Sequence, residues 1–115
     1  MQLKLLVLRC KNITDSVHFY EKIGLKFDHH QHGNGPLHYS CTLGATVLEL
    51  YPLLKQQKEA DYSTRLGFEV ENLNVLIEEL RATGVAIIQE PKESEFGCFA
   101  VVKDLDGRKV ELVAV

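Results

Sequence analysis

Residues 12–24 read NITDSVHFYEKIG, and residues 72–84 read NLNVLIEELRATG. The second stretch echoes the first at an offset of sixty: Asn12 matches Asn72, Ile13 Leu73, Val17 Ile77, Tyr20 Leu80 and Gly24 Gly84. In both, apolar residues recur at helical spacing, with Ile13, Val17, Tyr20 and Ile23 on one stripe and Leu73, Leu76, Ile77 and Leu80 on the other. Asn12 or Thr14 can cap the first helix by offering a side-chain oxygen to free backbone N–H groups. Gly24 supplies the left-handed stop that a helix end commonly needs, and Gly84 stands in the same place. A chain that writes one helix twice is expected to build two similar modules.

Working outward, residues 2–10 and 65–70 precede the two helices as β-rich runs. The first helix is followed by 26–30, a loop through Gly33, Asn34, Gly35 and Pro36, then 37–43, a tight turn at Gly44-Ala45, and 46–51. The second is followed by a short strand at 86–89, a polar loop at 90–97, a strand at 98–103, the turn Asp104-Leu105-Asp106-Gly107, and a strand at 109–113. The order is βαβββ twice. The hydrophilic stretch 55–63, KQQKEADYS, reads as a linker between modules 1–54 and 64–115. With 115 residues in all, one domain is expected over 1–115, because a module of about 55 residues is marginal alone.

The net charge of −3 with interspersed signs lacks the basic face that nucleic-acid binding needs. No segment approaches the length needed to span a membrane. Cys10, Cys41 and Cys98 are odd in number and widely spaced, which suggests small buried apolar residues rather than disulfides or a zinc knuckle. The N-terminal apolar run is short, contains Lys4, is followed by Arg9 and lacks a small-residue cleavage site, so it reads as a strand. A cytoplasmic location is the default expectation. Asp104 to Gly107 reads as a turn and not a calcium loop, since the downstream ligands are missing.

Each module ends in a strand interrupted by one acid, Leu48-Glu49-Leu50 and Val110-Glu111-Leu112. Alternation along a strand sends such an acid to the face opposite its apolar neighbours. By the same parity Leu66, Phe68 and Val70 go to the helices, while Arg65, Gly67 and Glu69 go to the open face, and Leu5, Val7 and Arg9 are their counterparts. A two-residue turn at Gly44-Ala45 sets Leu43 against Thr46, Ser40 against Glu49 and His38 against Tyr51. The open face then collects Glu49 and Glu111 as candidate catalytic carboxylates, and Arg65, His38, Tyr51 and Ser40 as candidate ligand-binding groups. The alternatives are ion-paired acids with Arg65 as their partner, a hydrogen-bonded structural His38, and half-buried packing for Tyr51 and Tyr62. His29, His30 and His32 read as a polar edge and loop, since adjacent histidines on a strand point to opposite faces.

These features resemble the vicinal oxygen chelate superfamily, the group of glyoxalase I, extradiol dioxygenases and the fosfomycin- and bleomycin-resistance proteins. The residues that carry the resemblance are the paired modules, the stretch Phe19-Tyr20-Glu21-Lys22-Ile23-Gly24-Leu25, the Glu49 strand, and the ending from Lys103 to Leu112. It implies an α+β fold in which two βαβββ modules form a curled mixed sheet around a cup, with helices outside. It also implies, for metal-using members, one ligand from the first strand and one from the last strand of each module, typically His or Gln and then Glu. Glu49 and Glu111 match the last-strand positions, but Leu5 and Arg65 occupy the first-strand ones. Leucine has no lone pair and a guanidinium is a fixed cation.

No cofactor is therefore expected. Glu49, Glu111 and His38 remain as the candidates for a divalent ion, which Arg65 would repel. The resulting expectation is a small-molecule-binding protein of the glyoxalase/bleomycin-resistance type, homodimeric as the resemblance implies. Two other readings stay open. One is a metal-dependent lyase or isomerase in which Glu111 or Glu49 abstracts a proton next to a carbonyl; the other is a non-catalytic partner subunit.

Overall fold

The computed structural model describes all 115 residues. They fall into two compact units, Met1–Asp61 and Tyr62–Val115. The first unit contains β1 (Leu5–Cys10), α1 (Ile13–Ile23), β2 (Asp28–His30), β3 (His38–Leu43) and β4 (Thr46–Pro52). The second contains β5 (Leu66–Val70), α2 (Leu73–Ala82), β6 (Ile87–Ser94), β7 (Gly97–Lys103) and β8 (Lys109–Ala114). The fold is α+β, with one helix and one four-stranded mixed sheet in each unit, ordered β1-β4-β3-β2 and β5-β8-β7-β6. In each sheet the strand before the helix pairs in parallel with the last strand, and the other pairings are antiparallel. A parallel neighbour demands a crossover, and the helix with the next two strands supplies it.

The stripes expected of the helices are buried except at Ile13, which is half-buried. Val17, Tyr20 and Ile23 of α1 lie in a core with Leu8, Cys10, Cys41, Leu48 and Leu50, and α1 packs on β1 and β4. Leu73, Leu76, Ile77 and Leu80 of α2 are buried with Val70, Ala100, Val102, Val110 and Leu112, and α2 packs on β6, β7 and β8. None of the three cysteines is in a disulfide, and Cys10 and Cys41 are buried and Cys98 partly so. No helix is long and apolar enough to cross a membrane.

The two helix entries differ although the sequence repeats. Asn12 has extended backbone, and its Oδ1 accepts the Asp15 N–H at 3.0 Å. Asn72 instead adopts a left-handed conformation at φ 52° and makes no side-chain cap. It therefore fills the matching sequence position with a different job.

Two strand boundaries depart most from the sequence reading, and β2 also begins two residues later than expected, at Asp28. The run expected from residue 2 pairs as a strand only from Leu5, because its partner β4 begins at Thr46 and the register sets Leu5 beside Val47. Residues 90–97, expected to be a polar loop, instead carry β6 on to Ser94, with β7 starting at Gly97. The register of β6 on β7 slips between Ile87 and Gln89 and again between Gln89 and Lys92. Pro91 lies in the second slip, where a residue without an N–H is tolerated. Since β6 is an edge strand, its polar residues can stay in water, which hides the strand from a hydrophobicity pattern.

Candidate functional site

In the first unit, Gly44 at φ 59° closes a two-residue turn, and β3 and β4 pair in the expected register, with Leu43 opposite Thr46 and Ser40 opposite Glu49. The same register brings His38 onto Tyr51, their rings stacked at 4.3 Å between centroids and 5° between planes. From the other neighbouring strand, Arg9 sets its guanidinium carbon 4.6 Å from the Tyr51 ring centroid and donates through Nη1 to the Pro52 carbonyl at 3.2 Å. Tyr51 is thus flanked by Arg9 and His38, a cation–π contact on one side and a ring stack on the other.

His38 is 4 % exposed. Its Nδ1 lies 3.3 Å from the Pro36 carbonyl, which can only accept, so Nδ1 carries the hydrogen. In the neutral ring that leaves the Nε2 lone pair directed to the Glu49 side, where Oε2 is 3.7 Å away. His30 and His32 also gather here, with centroids 5.6 and 5.5 Å from that of His38, whereas His29 packs edge-on against Tyr39. Parity separated His29 from His30 correctly, but it gave no sign that the loop would return His32 to the same side.

In the second unit, Gly67 of β5 is level with Glu111 of β8, and Glu111 with Val101 of β7. Arg65, just before β5, donates from Nη2 to Glu111 Oε1 at 3.2 Å. Gly67 has no side chain to screen this acid, and a Cβ there would stand 3.9 Å from the Glu111 Cβ. Beyond Glu111 lies a hollow of about 550 Å³ whose apolar lining is Phe96, Phe99 and Val113 and whose polar rim includes Lys92 and Glu95. Phe99 faces Val113 across the strand pair, and Phe96 projects from the β6–β7 turn with 84 % of its surface exposed.

Of the residues expected at a site, the structure groups His38, Ser40, Glu49 and Tyr51 on the first sheet, and Arg65 with Glu111 on the second. The sequence reading missed Phe96, Phe99, Val113 and Lys92. Counting by twos from Glu111 reaches Val113, and cross-strand pairing then gives Phe99. Lys92 and Phe96 were hidden by the loop assignment of 90–97.

A buried ionic cluster at the β7–β8 turn was also missed. Arg108 is wholly buried, and its Nη1 donates to Asp104 Oδ2 at 3.1 Å and to Asp106 Oδ2 at 3.3 Å. Asp104 Oδ1 accepts the backbone N–H groups of Asp106 and Arg108, both at 2.9 Å. The Asp-x-Asp-Gly turn is therefore a structural knot whose acids are already engaged.

The family profile described as Glyoxalase/Bleomycin resistance protein/Dioxygenase superfamily matches residues 2–112. The chain belongs to this superfamily. Solved structures similar to this glyoxalase-superfamily chain include TnmS3, an antibiotic-binding protein from Streptomyces sp. CB03234. It has 21 % identity and a TM-score of 0.77, with 99 % of this chain and 95 % of that one covered. A glyoxalase family protein from Bacillus cereus has 17 % identity and a TM-score of 0.74, with 99 % and 92 % covered. The oxidase ChaP-H2 has 13 % identity and a TM-score of 0.78, with 100 % and 94 % covered. At these identities the likeness is one of fold, and the three proteins show how varied its uses are. No curated protein matches the sequence significantly.

The superfamily's metal-using members need donors that the chain does not bring together within either unit. Leu5 offers none, and Arg65 places a cation 3.2 Å from Glu111. Glu49 lies 3.7 Å from His38, and nowhere do three His, Cys, Asp or Glu side chains converge as a metal site requires.

Proposed function

We propose that this chain is a small-molecule-binding protein of the glyoxalase/bleomycin-resistance type, that it works without a resident metal, and that its ligand sits in the hollow beside Glu111. The observation that carries this reading is the hollow itself, a pocket of about 550 Å³ that sets Phe96, Phe99 and Val113 beside Glu111, with Lys92, Glu93, Ser94 and Glu95 as its other polar lining. That volume lies within the roughly 300–1,000 Å³ usual for drug-sized ligands, and mostly apolar walls with a few placed polar groups are the usual composition. Phe96 and Phe99 suit an aromatic or otherwise flat ligand face. Glu111 suits a hydroxyl or amine, and its pairing with Arg65 holds the carboxylate in place. The structural likeness to an antibiotic-binding protein supports a small-molecule ligand.

The test is a thermal-stabilisation screen of aromatic amines and phenols against the native chain, repeated with Phe99→Ala and Glu111→Gln. A ligand present at a hundred times its Kd stabilises by about 2.7 kcal/mol, so a true binder gives a plain shift. Both variants should lose most of that shift. Equal shifts in all three proteins would remove the hollow from the function. Protein purified without chelator should also carry no stoichiometric divalent ion. An ion that is present, and that disappears in Glu49→Ala or Glu111→Ala, would overturn the metal-free reading in favour of a lyase or isomerase.

A further inference from the structure

On the other side of the Arg65–Glu111 pair the open face of the second sheet turns basic. Lys103 of β7 lies directly opposite Lys109 of β8, and both are exposed. Like charges placed opposite each other across a strand pair repel and weaken the sheet. No carboxylate relieves the repulsion, for neither lysine is in an ion pair. Arg65 completes the row, one residue before Leu66, which pairs with Val110.

These three cations line a hollow of about 430 Å³ together with Tyr62, Ser63 and Gly107. No acid lines it. Of the acids near it in sequence, Asp61 adjoins Tyr62 but is not part of the lining, Asp104 and Asp106 are committed to the buried Arg108, and Glu111 to Arg65. The floor is also held in shape. Gly107 has φ 92°, its N–H donates to the Asp104 carbonyl at 3.2 Å, and a Cβ on it would meet the Tyr62 Cβ at 3.5 Å.

We propose that this basic hollow is a binding site for the phosphate group of a small molecule. A phosphate monoester carries close to two negative charges at neutral pH and three acceptor oxygens. Two ammonium groups and a guanidinium match that charge and number of acceptors better than they match a carboxylate. Arg65 gives only Nη2 to Glu111, so further N–H donors of its guanidinium are left for an anion. Binding removes the repulsion between Lys103 and Lys109, which gives the site a driving force that the empty sheet lacks. The proposal goes beyond the ligand reading of the apolar hollow and does not depend on it.

Inorganic phosphate is the probe, followed by amide NMR of the whole ¹⁵N-labelled chain, with sodium chloride at matched ionic strength and acetate as separate arms. Phosphate should shift the amides of Ser63, Lys103, Gly107 and Lys109 saturably, while those of Phe99 and Val113 stay in place. The double variant Lys103→Gln/Lys109→Gln should bind at least tenfold more weakly with the rest of its spectrum unchanged. Chloride reproducing the shifts would overturn the site, and acetate saturating at the same concentration would overturn its assignment to phosphate. Undiminished binding by the double variant would also overturn it. Should that variant fail to fold, Lys109→Gln alone is read the same way, and the salt arms decide on the native chain.

Discussion

Arg65 Nη2 stands 3.2 Å from Glu111 Oε1, whereas the residue that matches Arg65 in the first unit, Leu5, is aligned with Val47 and offers Glu49 nothing. Glu49 turns to His38 instead. One repeat thus holds its strand acid with a guanidinium and the other leaves it beside an imidazole. The two open faces consequently carry different chemistry on the same scaffold.

The Arg65–Glu111 pair should contribute little to stability. Its side chains are 53 % and 37 % exposed, so water screens the attraction, and pairs of this kind are worth about 1 kcal/mol or less. Urea unfolding of Arg65→Ala, Glu111→Gln and the double variant should give a coupling energy below that figure. A larger one would mean that the pair holds the second unit together rather than presenting a carboxylate.

Arg108 should behave in the opposite way. Its guanidinium is the shared partner of Asp104 and Asp106 in a buried turn, so Arg108→Met leaves carboxylates uncompensated there. Breaking a buried pair from one side typically costs about 3–5 kcal/mol. Chemical denaturation should show a loss of that order, and adding Asp104→Asn and Asp106→Asn to Arg108→Met should recover part of it.

The two helix-entry asparagines should separate on substitution by serine. Serine caps a helix about as well as asparagine does, so Asn12→Ser should be close to neutral, whereas Asn12→Ala should cost about 1 kcal/mol. Asn72 is held at φ 52° and caps nothing, so Asn72→Ser should cost about 1–2 kcal/mol for the left-handed backbone, and Asn72→Gly should not. Thermal unfolding of the four variants checks the contrast.

A pH effect is expected where α2 meets β6. Arg81 donates from Nη1 to Glu90 Oε2 at 2.9 Å and also reaches Glu78, and its hydrogen bond holds the Glu90 carboxyl below the ordinary carboxylate value. A carboxyl depressed in the folded state adds stability above its unfolded pKa, and that stability is lost as pH falls through the folded one. Both groups are open to water, so the contribution is small. A ¹³C titration of the Glu90 side chain should have its midpoint below that of an ordinary glutamate, and Arg81→Gln should raise it.

The repeat, the element order, the helix stripes and the β3–β4 register are all legible in the chain alone. Each depends on a short-range period or on a turn of fixed length, such as the two residues that Gly44 allows at φ 59°. The placement of His38, Ser40, Glu49 and Tyr51 on one face follows from that turn.

Other features were beyond the sequence pattern because they depend on which strands become neighbours. The order β5-β8-β7-β6 lays the parallel strand β5 beside β8, which brings Arg65 to Glu111, and it makes β6 an edge whose polar residues look like a loop. Arg108 is a different case: its partners Asp104 and Asp106 lie within four residues, but a turn of polar sequence carries no hydrophobic pattern to mark it as buried. Periodicity records which face a side chain takes. The partner it meets there is set by contacts between residues far apart in the chain, and in this protein those contacts made the difference between a bare carboxylate and one held by arginine.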